Sequence, residues 1–312
     1  WYCLRAGCMI WSKFFNNSLP FKILMSSTKK ITGFDYAISY VHANDEKKCY
    51  PGCNEFVLDK VDSKIKVAYI HCDFLNYGGN TLHNRKKYKK FDKIVAVSNG
   101  CKESFVSAIP ELKDRTYTIR NFNNFNEILK LSNDNTVIYD KDVFNIVTVS
   151  RLSKEKGINR CIPIIKHIIE KGHKVKWHVI GGGPLEKNIR KSIIDYQLED
   201  HVILYGNQSN PYRFMKNADL FLLPSYHEAA PMVFDEAKCL AVPILSTRTV
   251  SVKELIEDNN IGWVCENNDK SILNYLIYLL ENNEELKEKK FQLETMNFNN
   301  DSPLKMVEMV FK

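Results

Sequence analysis

Short apolar runs alternate with helical patterns along the second half of the chain, and this alternation limits the fold more than any other feature. The run 143–149 predicts a buried strand, and isoleucines spaced three or four residues apart over 159–171 predict a helix that stops at Gly172. Five further strands are predicted at 174–180, 202–205, 220–223, 242–246 and 262–265, and two further helices are predicted, one opened by Pro184 and one at 250–258. Strands separated by helices need crossover connections, so we expect an α/β fold with parallel sheets and helices on both faces.

The first half repeats this pattern less clearly. It predicts a helix at 98–108 and strands at 35–40, 65–70, 93–97 and 115–119. The polar stretch 131–140 separates the halves and predicts two lobes, residues 1–140 and 141–312, joined so as to leave a cleft. Sheets of this kind bind ligands at the carboxyl ends of their strands, where loops lead into helix N-termini. Binding residues are therefore expected in the loops that follow strands.

The excess positive charge lies in the first half alone. Residues 1–140 contain 21 Lys and Arg against 14 Asp and Glu, whereas residues 141–312 contain 23 of each. The densest run comprises Arg85, Lys86, Lys87, Lys89 and Lys90. Such a run is either a solvated helix face or a patch that meets an anionic surface, such as a cytoplasmic membrane leaflet. No recognisable nucleic-acid module surrounds it, so nucleic acid is not expected as a partner.

The nine cysteines are odd in number and scattered, which favours reduced thiols in a cytoplasmic protein over a disulfide framework. Cys49 and Cys53, with His71 and Cys72, resemble half of a zinc site. A second well-spaced pair is missing from this group, so ordinary half-buried thiols are favoured and no metal is expected. No apolar run reaches the roughly 18 residues that a membrane span needs.

Three loops of the second half carry charged, glycine-rich or polar motifs directly after predicted strands. Arg151 and Lys156 follow the strand at 143–149 and set two cations at a strand end, which suits a diphosphate. The next two loops supply Gly182, Gly183, Asn207 and Gln208. Glycine lets a ligand approach the backbone closely, but each motif alone is equally typical of an ordinary solvated loop.

A fourth loop follows the strand at 220–223 and places two carboxylates eight positions apart. Glu228 lies in the loop and Glu236 on the helix that follows. The start of that helix is formed by Pro231, Met232 and Val233. Backbone amides at a helix start attract an anion, and carboxylates accept hydrogen bonds strongly from sugar hydroxyls. Two surface glutamates are the alternative interpretation.

Taken together, these motifs resemble the retaining glycosyltransferases of family four, which have the GT-B fold. The shared segments include RLSKEKG, IGGGP, SYHEAAPMVFDEA, VPILST and VKELIEDNNIGWV in the second half, and KVAYIHCD and FDKIVAVSNGCKESF in the first. The resemblance implies two Rossmann-like lobes whose parallel sheets face a central cleft. It also implies that a strand, a glycine-rich loop and a helix are missing before Asp35. Ala229 and Ala241 stand where the family usually has glycine.

The resemblance implies a role for each motif. Arg151, Lys156 and the helix start at 231–233 would bind the diphosphate of a sugar donor. Glu236 would bind the ribose, and the residues at 182–183 and 207–208 would lie near the ribose and the base.

Two residues would act on the transferred sugar. Glu228 would hold its hydroxyls, and His71, at the end of the predicted strand 65–70, would lie near the reacting centre. From the residues alone, His71 is more simply interpreted as a core histidine whose hydrogen bonds are satisfied.

The implied reaction moves a hexose or N-acetylhexosamine from a nucleoside diphosphate sugar, expected to be a UDP-sugar, to a glycan or lipid-linked acceptor in polysaccharide biosynthesis. Configuration would be retained, and cations with a helix start would stabilise the leaving diphosphate without a metal or other cofactor. The protein would be cytoplasmic, with peripheral contact to an anionic membrane at the inner face. Two alternatives stay open: a sugar-nucleotide epimerase of the same fold, and a non-catalytic nucleotide-sugar-binding relative.

Overall fold

The computed structural model describes residues 2–42, 46–47, 52–77 and 79–312. The chain forms two compact units, Trp1–Asn121 with Ser302–Lys312 and Phe122–Asp301. Elements of the first part of the chain are α1 (Tyr2–Phe14), α2 (Ser18–Leu24), β1 (Ile31–Ser39), α3 (Cys53–Lys60), β2 (Val61–Ile70), α4 (Leu82–Tyr88), β3 (Lys93–Ala96), α5 (Asn99–Ala108) and β4 (Thr116–Thr118).

Elements of the remaining part are α6 (Phe125–Ser132), β5 (Phe144–Val149), α7 (Ile158–Glu170), β6 (Val175–Ile180), α8 (Glu186–Asp195), β7 (Val202–Gly206), α9 (Tyr212–Met215), β8 (Leu220–Leu223), α10 (Met232–Cys239), β9 (Ile244–Thr247), β10 (Gly262–Cys265), α11 (Asp269–Glu281), α12 (Asn283–Glu294) and α13 (Asp301–Phe311). None of the described helices is long and apolar enough to cross a membrane.

A parallel sheet with the strand order β1-β2-β3-β4 forms the centre of the first unit. Val67, Ile94 and Val95 are fully buried in it, as expected for strands covered on both faces. The Ser98 hydroxyl accepts a hydrogen bond from the Cys101 N–H (3.1 Å) and begins α5. The strands and the helix predicted for this unit are therefore confirmed, with ends that differ by a few residues.

The second unit contains a six-stranded parallel sheet in the order β7-β6-β5-β8-β9-β10. The chain adds strands outward from β5 on one side, then returns to pair β8 against the other side of β5, with Val147 opposite Phe221. In such a doubly wound sheet the helices leave β5 and β8 toward opposite faces. A crevice therefore opens at the carboxyl ends of these two strands, and this is where ligands bind.

Apolar side chains at helical spacing bury α7 against this sheet. Ile162, Ile165 and Ile168 are fully buried and belong to the same core cluster as Trp177 of β6. Gly172 follows the helix with φ of +91°, the left-handed conformation that ends helices. The predicted helix at 159–171 and its glycine stop are confirmed.

Two predicted helices differ in the structure. Pro184 does not open α8, because the Leu185 N–H donates to the Leu152 carbonyl (2.9 Å) and holds the chain in a turn until Glu186. The helix expected at 250–258 is reduced to a π-helical segment, Lys253–Glu257.

The polar stretch 131–140, which the sequence favours as the lobe boundary, belongs to the second unit. The Val137 N–H donates to the Arg213 carbonyl (3.0 Å), and the Tyr139 hydroxyl donates to the Phe214 carbonyl (2.7 Å). These bonds tie the stretch to α9. The compact units instead divide after Asn121.

Helix α13 returns from the second unit to the first. Val310 of this helix packs with Val67 and Val95 of the sheet, and the Lys93 ammonium donates to the Val310 carbonyl. The last residues of the chain therefore complete the core of the first unit.

Candidate functional site

The loops after β5 and β8 touch each other through their backbones. The Tyr226 N–H donates to the Glu155 carbonyl at 2.8 Å. Gly157 ends the first loop with φ of +68°, and a Cβ atom there would lie 2.1 Å from the Pro224 carbonyl oxygen. Only glycine permits both this conformation and this approach. The two loops that carry Arg151, Lys156 and Glu228 are thereby held side by side.

We expect Gly157→Ala to lower the free energy of unfolding by about 3 kcal/mol, because a left-handed alanine costs about 1 kcal/mol and the displaced Pro224 carbonyl adds the cost of overpacking. Gly172→Ala is the matched control, since Gly172 has φ of +91° but nothing within 4 Å of a Cβ. Urea denaturation of both variants measures the difference. Equal losses of stability in the two variants would show that the close approach of Gly157 to the Pro224 carbonyl contributes nothing to the cost of the substitution.

Lys156 and Glu228 form an ion pair between these loops. The Lys156 ammonium donates to Glu228 Oε1 at 2.7 Å, and the Ser225 hydroxyl donates to the same oxygen at 2.6 Å. The side chains are only 16% and 7% exposed. Because both charges are largely removed from water, each depends on the other for stabilisation. The structure thus brings together two of the predicted residues that lie 72 positions apart.

Arg151 lies in the same loop but in a different environment. Its side chain is 76% exposed and reaches Glu155 at 3.3 Å. An exposed pair of this kind contributes little to stability and leaves the guanidinium accessible to an anion. Lys156 is therefore held in the loop contact, whereas Arg151 faces solvent.

Helix α10 begins after the Glu228 loop, with Pro231 as its N-cap. Proline carries no N–H group, so Pro231 cannot itself donate to an anion as predicted. The Phe234 N–H donates to the Pro231 carbonyl (3.2 Å), which leaves Met232 and Val233 as the positions whose amides begin the helix.

Glu236 lies on α10 in a largely desolvated environment. Burial raises the pKa of Glu236 to about 7, although a hydrogen bond from the Tyr212 hydroxyl (3.5 Å) acts in the opposite direction. A half-buried carboxylate to which the Tyr212 hydroxyl donates only a long hydrogen bond can also accept hydrogen bonds from the hydroxyls of a ribose. Tyr212 was not predicted as a site residue, since nothing in the sequence marks it.

We expect Glu236→Gln to stabilise the fold more at pH 8 than at pH 5, by up to about 3 kcal/mol. The folded protein binds the Glu236 proton more tightly than the unfolded chain does. Ionisation therefore lowers the free energy of unfolding as pH rises from about 4.5 to about 7. Thermal and urea unfolding across this range measure the effect. Glu257→Gln, at an exposed carboxylate, serves as the control, and a pH-independent difference for Glu236→Gln would contradict the prediction.

The glycine-rich loop after β6 packs against the loop after β5 on one side and against the polar loop after β7 on the other. A Cβ at Gly183 would lie 2.5 Å from the Leu152 carbonyl oxygen, and one at Gly182 would lie 2.9 Å from the Asn207 amide. The Gln208 amide donates to the Tyr205 carbonyl (2.9 Å). The Leu152 backbone thus explains the need for glycine at 183, whereas Gly182 meets only the Asn207 side chain. The roles predicted for these four residues at a ribose or base stay predictions.

His71 lies in the first unit, directly after β2. Its ring stacks on Tyr69 (5.7 Å between centroids) and lies 4.6 Å from that of Tyr40. Burial lowers the pKa of His71, while a hydrogen bond to the Tyr40 backbone raises it. Nε2 is buried and has no hydrogen-bond partner within the described ranges. A neutral imidazole whose second ring nitrogen has no partner among the described residues can accept a hydrogen bond from a hydroxyl, and the role predicted for His71 stays a prediction.

The basic run around α4 is less continuous than its sequence suggests. Lys87 is buried and pairs with the equally buried Glu55, and Lys89 pairs with Glu111 on the surface. The exposed lysines of the run are Lys86, Lys89 and Lys90. Lys87 therefore serves the core of the first unit and is not part of a solvated patch.

Cys49, half of the zinc-like motif, lies outside the described residues. Within the described ranges, no group of three or more His, Cys, Asp or Glu side chains is arranged to hold a metal ion. The absence of a metal from the reaction stays a prediction.

Solved structures of other proteins resemble this chain. Staphylococcus aureus TarM, in complex with Fondaparinux, alpha-GlcNAc-glycerol and UDP, has a TM-score of 0.65 at 20% identity, over 81% of this chain and 51% of TarM. Anabaena HepE in complex with UDP has a TM-score of 0.64 at 17% identity, over 80% of this chain and 72% of HepE. Both are GT-B glycosyltransferases, and the likeness shows that this chain has the GT-B fold.

The sequence itself matches the same family. The chain is 29% identical over 204 residues to the capsular polysaccharide biosynthesis glycosyltransferase CapM of Staphylococcus aureus, covering 62% of this chain and 53% of CapM. It spans about half or less of the length of the curated relatives it matches. The family model described as Glycosyl transferases group 1 matches residues 133–292, just over half of the chain. The chain therefore belongs to the group 1 glycosyl transferases.

Proposed function

We propose that this protein is a retaining glycosyltransferase that moves a hexose or N-acetylhexosamine from a UDP-sugar to a glycan or lipid-linked acceptor in polysaccharide biosynthesis. The observation that carries the proposal is the contact between Lys156 and Glu228 at the crevice of the second sheet, with the exposed Arg151 in the same loop. Two cations and a carboxylate at the carboxyl ends of β5 and β8 suit a ligand in which a diphosphate is joined to a sugar. UDP in TarM and HepE, and the capsular role of CapM, support the donor and the pathway class.

The chemistry of this site follows from where charge develops. Cleavage of the sugar–phosphate bond increases negative charge on the leaving UDP. Arg151, Lys156 and the first amides of α10 would stabilise that charge electrostatically, without a metal. Glu228 would accept hydrogen bonds from the sugar hydroxyls, and Glu236 from the ribose.

His71 would act on the sugar as a hydrogen-bond acceptor through Nε2, which has no partner among the residues that the structure describes. His71→Ala is then expected to reduce turnover and leave UDP affinity unchanged, because the imidazole would contact the sugar and not the nucleotide.

A panel of UDP-glucose, UDP-galactose, UDP-N-acetylglucosamine and UDP-N-acetylgalactosamine tests the function. Slow release of UDP from one donor, with the first-formed sugar retaining the anomeric configuration of the donor, supports a retaining transferase. An epimerised nucleotide sugar formed without acceptor would identify an epimerase instead. UDP binding without any release would identify a non-catalytic relative, and the absence of both binding and release would overturn the assignment of the site.

The location of the protein is also a proposal. We propose that it works at the cytoplasmic face of the cell membrane, because a lipid-linked acceptor would lie in a membrane and the first unit carries the excess of positive charge. Lys86, Lys89 and Lys90 are exposed at the end of α4 and can approach anionic headgroups.

Reversing these three lysines to Glu is expected to abolish sedimentation with phosphatidylglycerol vesicles at low salt. Each lysine near an anionic surface contributes about 1 kcal/mol, and salt screens the attraction. Lys87 is left unchanged, because a carboxylate there would face the buried Glu55. Lys171, Lys187 and Lys191 reversed to Glu give the same charge change on exposed positions of the second unit. Equal loss in both triple variants, or equal binding to neutral vesicles, would contradict the proposal.

A further inference from the structure

A group of side chains outside the proposed substrate contacts holds the loop that carries Glu228. The Asn267 amide nitrogen lies within hydrogen-bond distance of two carbonyls of this loop, those of Tyr226 (3.0 Å) and Ser225 (3.3 Å). The same nitrogen reaches the Arg248 carbonyl at 3.3 Å. One amide group therefore links the loop after β10 to the loops after β8 and β9.

Arg160 fixes the orientation of that amide. Its Nη1 donates to Asn267 Oδ1 at 2.7 Å, so the Asn267 nitrogen must face the loop carbonyls. Its Nε donates to Asp269 Oδ1, also at 2.7 Å. The Arg160 side chain is only 4% exposed. The guanidinium lies 4.3 Å from the centre of the Tyr226 ring. The planar fork of arginine is needed here, because lysine cannot make two divergent bonds and stack at once.

Through these contacts, Arg160 acts on Glu228 without touching it. The Thr247 hydroxyl donates to the Ser225 carbonyl, and the Ser225 hydroxyl donates to Glu228 Oε1 at 2.6 Å. The Tyr226 N–H donates to the backbone carbonyl of Glu155, in the loop that also holds Lys156. A shift of the loop at Ser225 or Tyr226 would therefore move the Glu228 carboxylate relative to Lys156.

We propose that Arg160, Asn267 and Asp269, named here the brace, are positioning residues for Glu228. The proposal rests on the function proposed above. The brace sets the position of the Glu228 carboxylate, which would meet the sugar hydroxyls. The brace itself would not contact the nucleotide. Loss of the brace is accordingly a defect in turnover and not in UDP binding.

Asn267→Ala tests the brace, with Asn268→Ala as the matched control. Asn268 is the neighbouring asparagine, but its side chain accepts from the Ser271 N–H (2.8 Å) and caps α11. We expect Asn267→Ala to lower kcat for UDP-sugar hydrolysis about tenfold, since small displacements at a reacting centre have effects of this size or larger. UDP affinity measured by calorimetry should stay within about twofold. Asn268→Ala should lower the Tm and leave kcat unchanged.

A double-mutant cycle separates positioning from general structural damage. In the Glu228→Gln background the positioned carboxylate is already absent, so Asn267→Ala should lower kcat no further. If the two losses multiply, the brace does not act through Glu228 and the proposal is wrong. Should Asn267→Ala fail to fold, Tyr226→Leu replaces it in the same cycle, because Tyr226 is 41% exposed and its ring stacks on Arg160.

Amide hydrogen exchange over 225–228 provides a readout that does not need turnover. Exchange should be faster in Asn267→Ala than in wild type, and unchanged in Asn268→Ala. If the wild-type protein turns over no donor, the proposed function fails, and the exchange result still decides whether the brace holds the loop. Unchanged exchange in Asn267→Ala would overturn the brace even in an active enzyme.

Discussion

Glu228→Gln is expected to lower turnover about 10²- to 10³-fold, the range seen when one electrostatic contact to a transition state is removed. The amide keeps the shape of the carboxylate and can still accept the hydrogen bond from Ser225, so the loop should keep its conformation. It loses the negative charge that balances Lys156, whose ammonium lies 2.7 Å away. Lys156 is then free to approach a diphosphate, and UDP affinity should be equal or modestly higher.

Steady-state hydrolysis of the UDP-sugar and calorimetry with UDP measure these two effects separately. Glu257→Gln removes an exposed carboxylate that pairs with Arg248 in the same unit and should change neither. Wild-type turnover in Glu228→Gln would remove Glu228 from the sugar site. A large loss of UDP affinity would instead assign it to the nucleotide.

Lys156→Ala and Arg151→Ala should each weaken UDP binding by about 1.5–3 kcal/mol, the value of a hydrogen bond to a charged group. Their effects on stability should differ. Arg151→Ala should change the free energy of unfolding by less than about 0.5 kcal/mol, because the side chain is exposed. Lys156→Ala leaves the buried Glu228 carboxylate without its partner, and we expect it to cost about 2–3 kcal/mol.

Lys154→Ala is the control for both variants, since Lys154 is an exposed cation in the same short turn. It should leave UDP affinity and stability close to wild type. Calorimetry and urea denaturation of the three variants give all the required values. Unchanged UDP affinity in both Arg151→Ala and Lys156→Ala would exclude this loop as the diphosphate site.

Local patterns were sufficient to predict the strands of both described sheets and the helices at 98–108 and 159–171, but not every helix of the fold. Strand and helix periodicity depends on neighbouring residues, so the strand at 143–149 and the Ser98 cap of α5 could be predicted from short segments. Residues at strand ends were also predictable, because the order of elements alone puts Arg151 and Glu228 in loops at the same sheet edge. Glycine positions predict left-handed backbone conformations only in part. Ala241, where the family usually has glycine, still adopts this conformation with φ of +55°.

Pairing and burial were decided only by the tertiary structure. The sequence shows Lys156 and Glu228 as separate motifs, and Lys87 as one of five similar cations. Tertiary packing pairs Lys156 with Glu228 and Lys87 with Glu55. Burial in the folded protein raises the pKa of Glu236 to about 7. The reason is physical: backbone periodicity is set by near neighbours along the chain, whereas the energy of a charge depends on which distant segments remove its water and supply its partner.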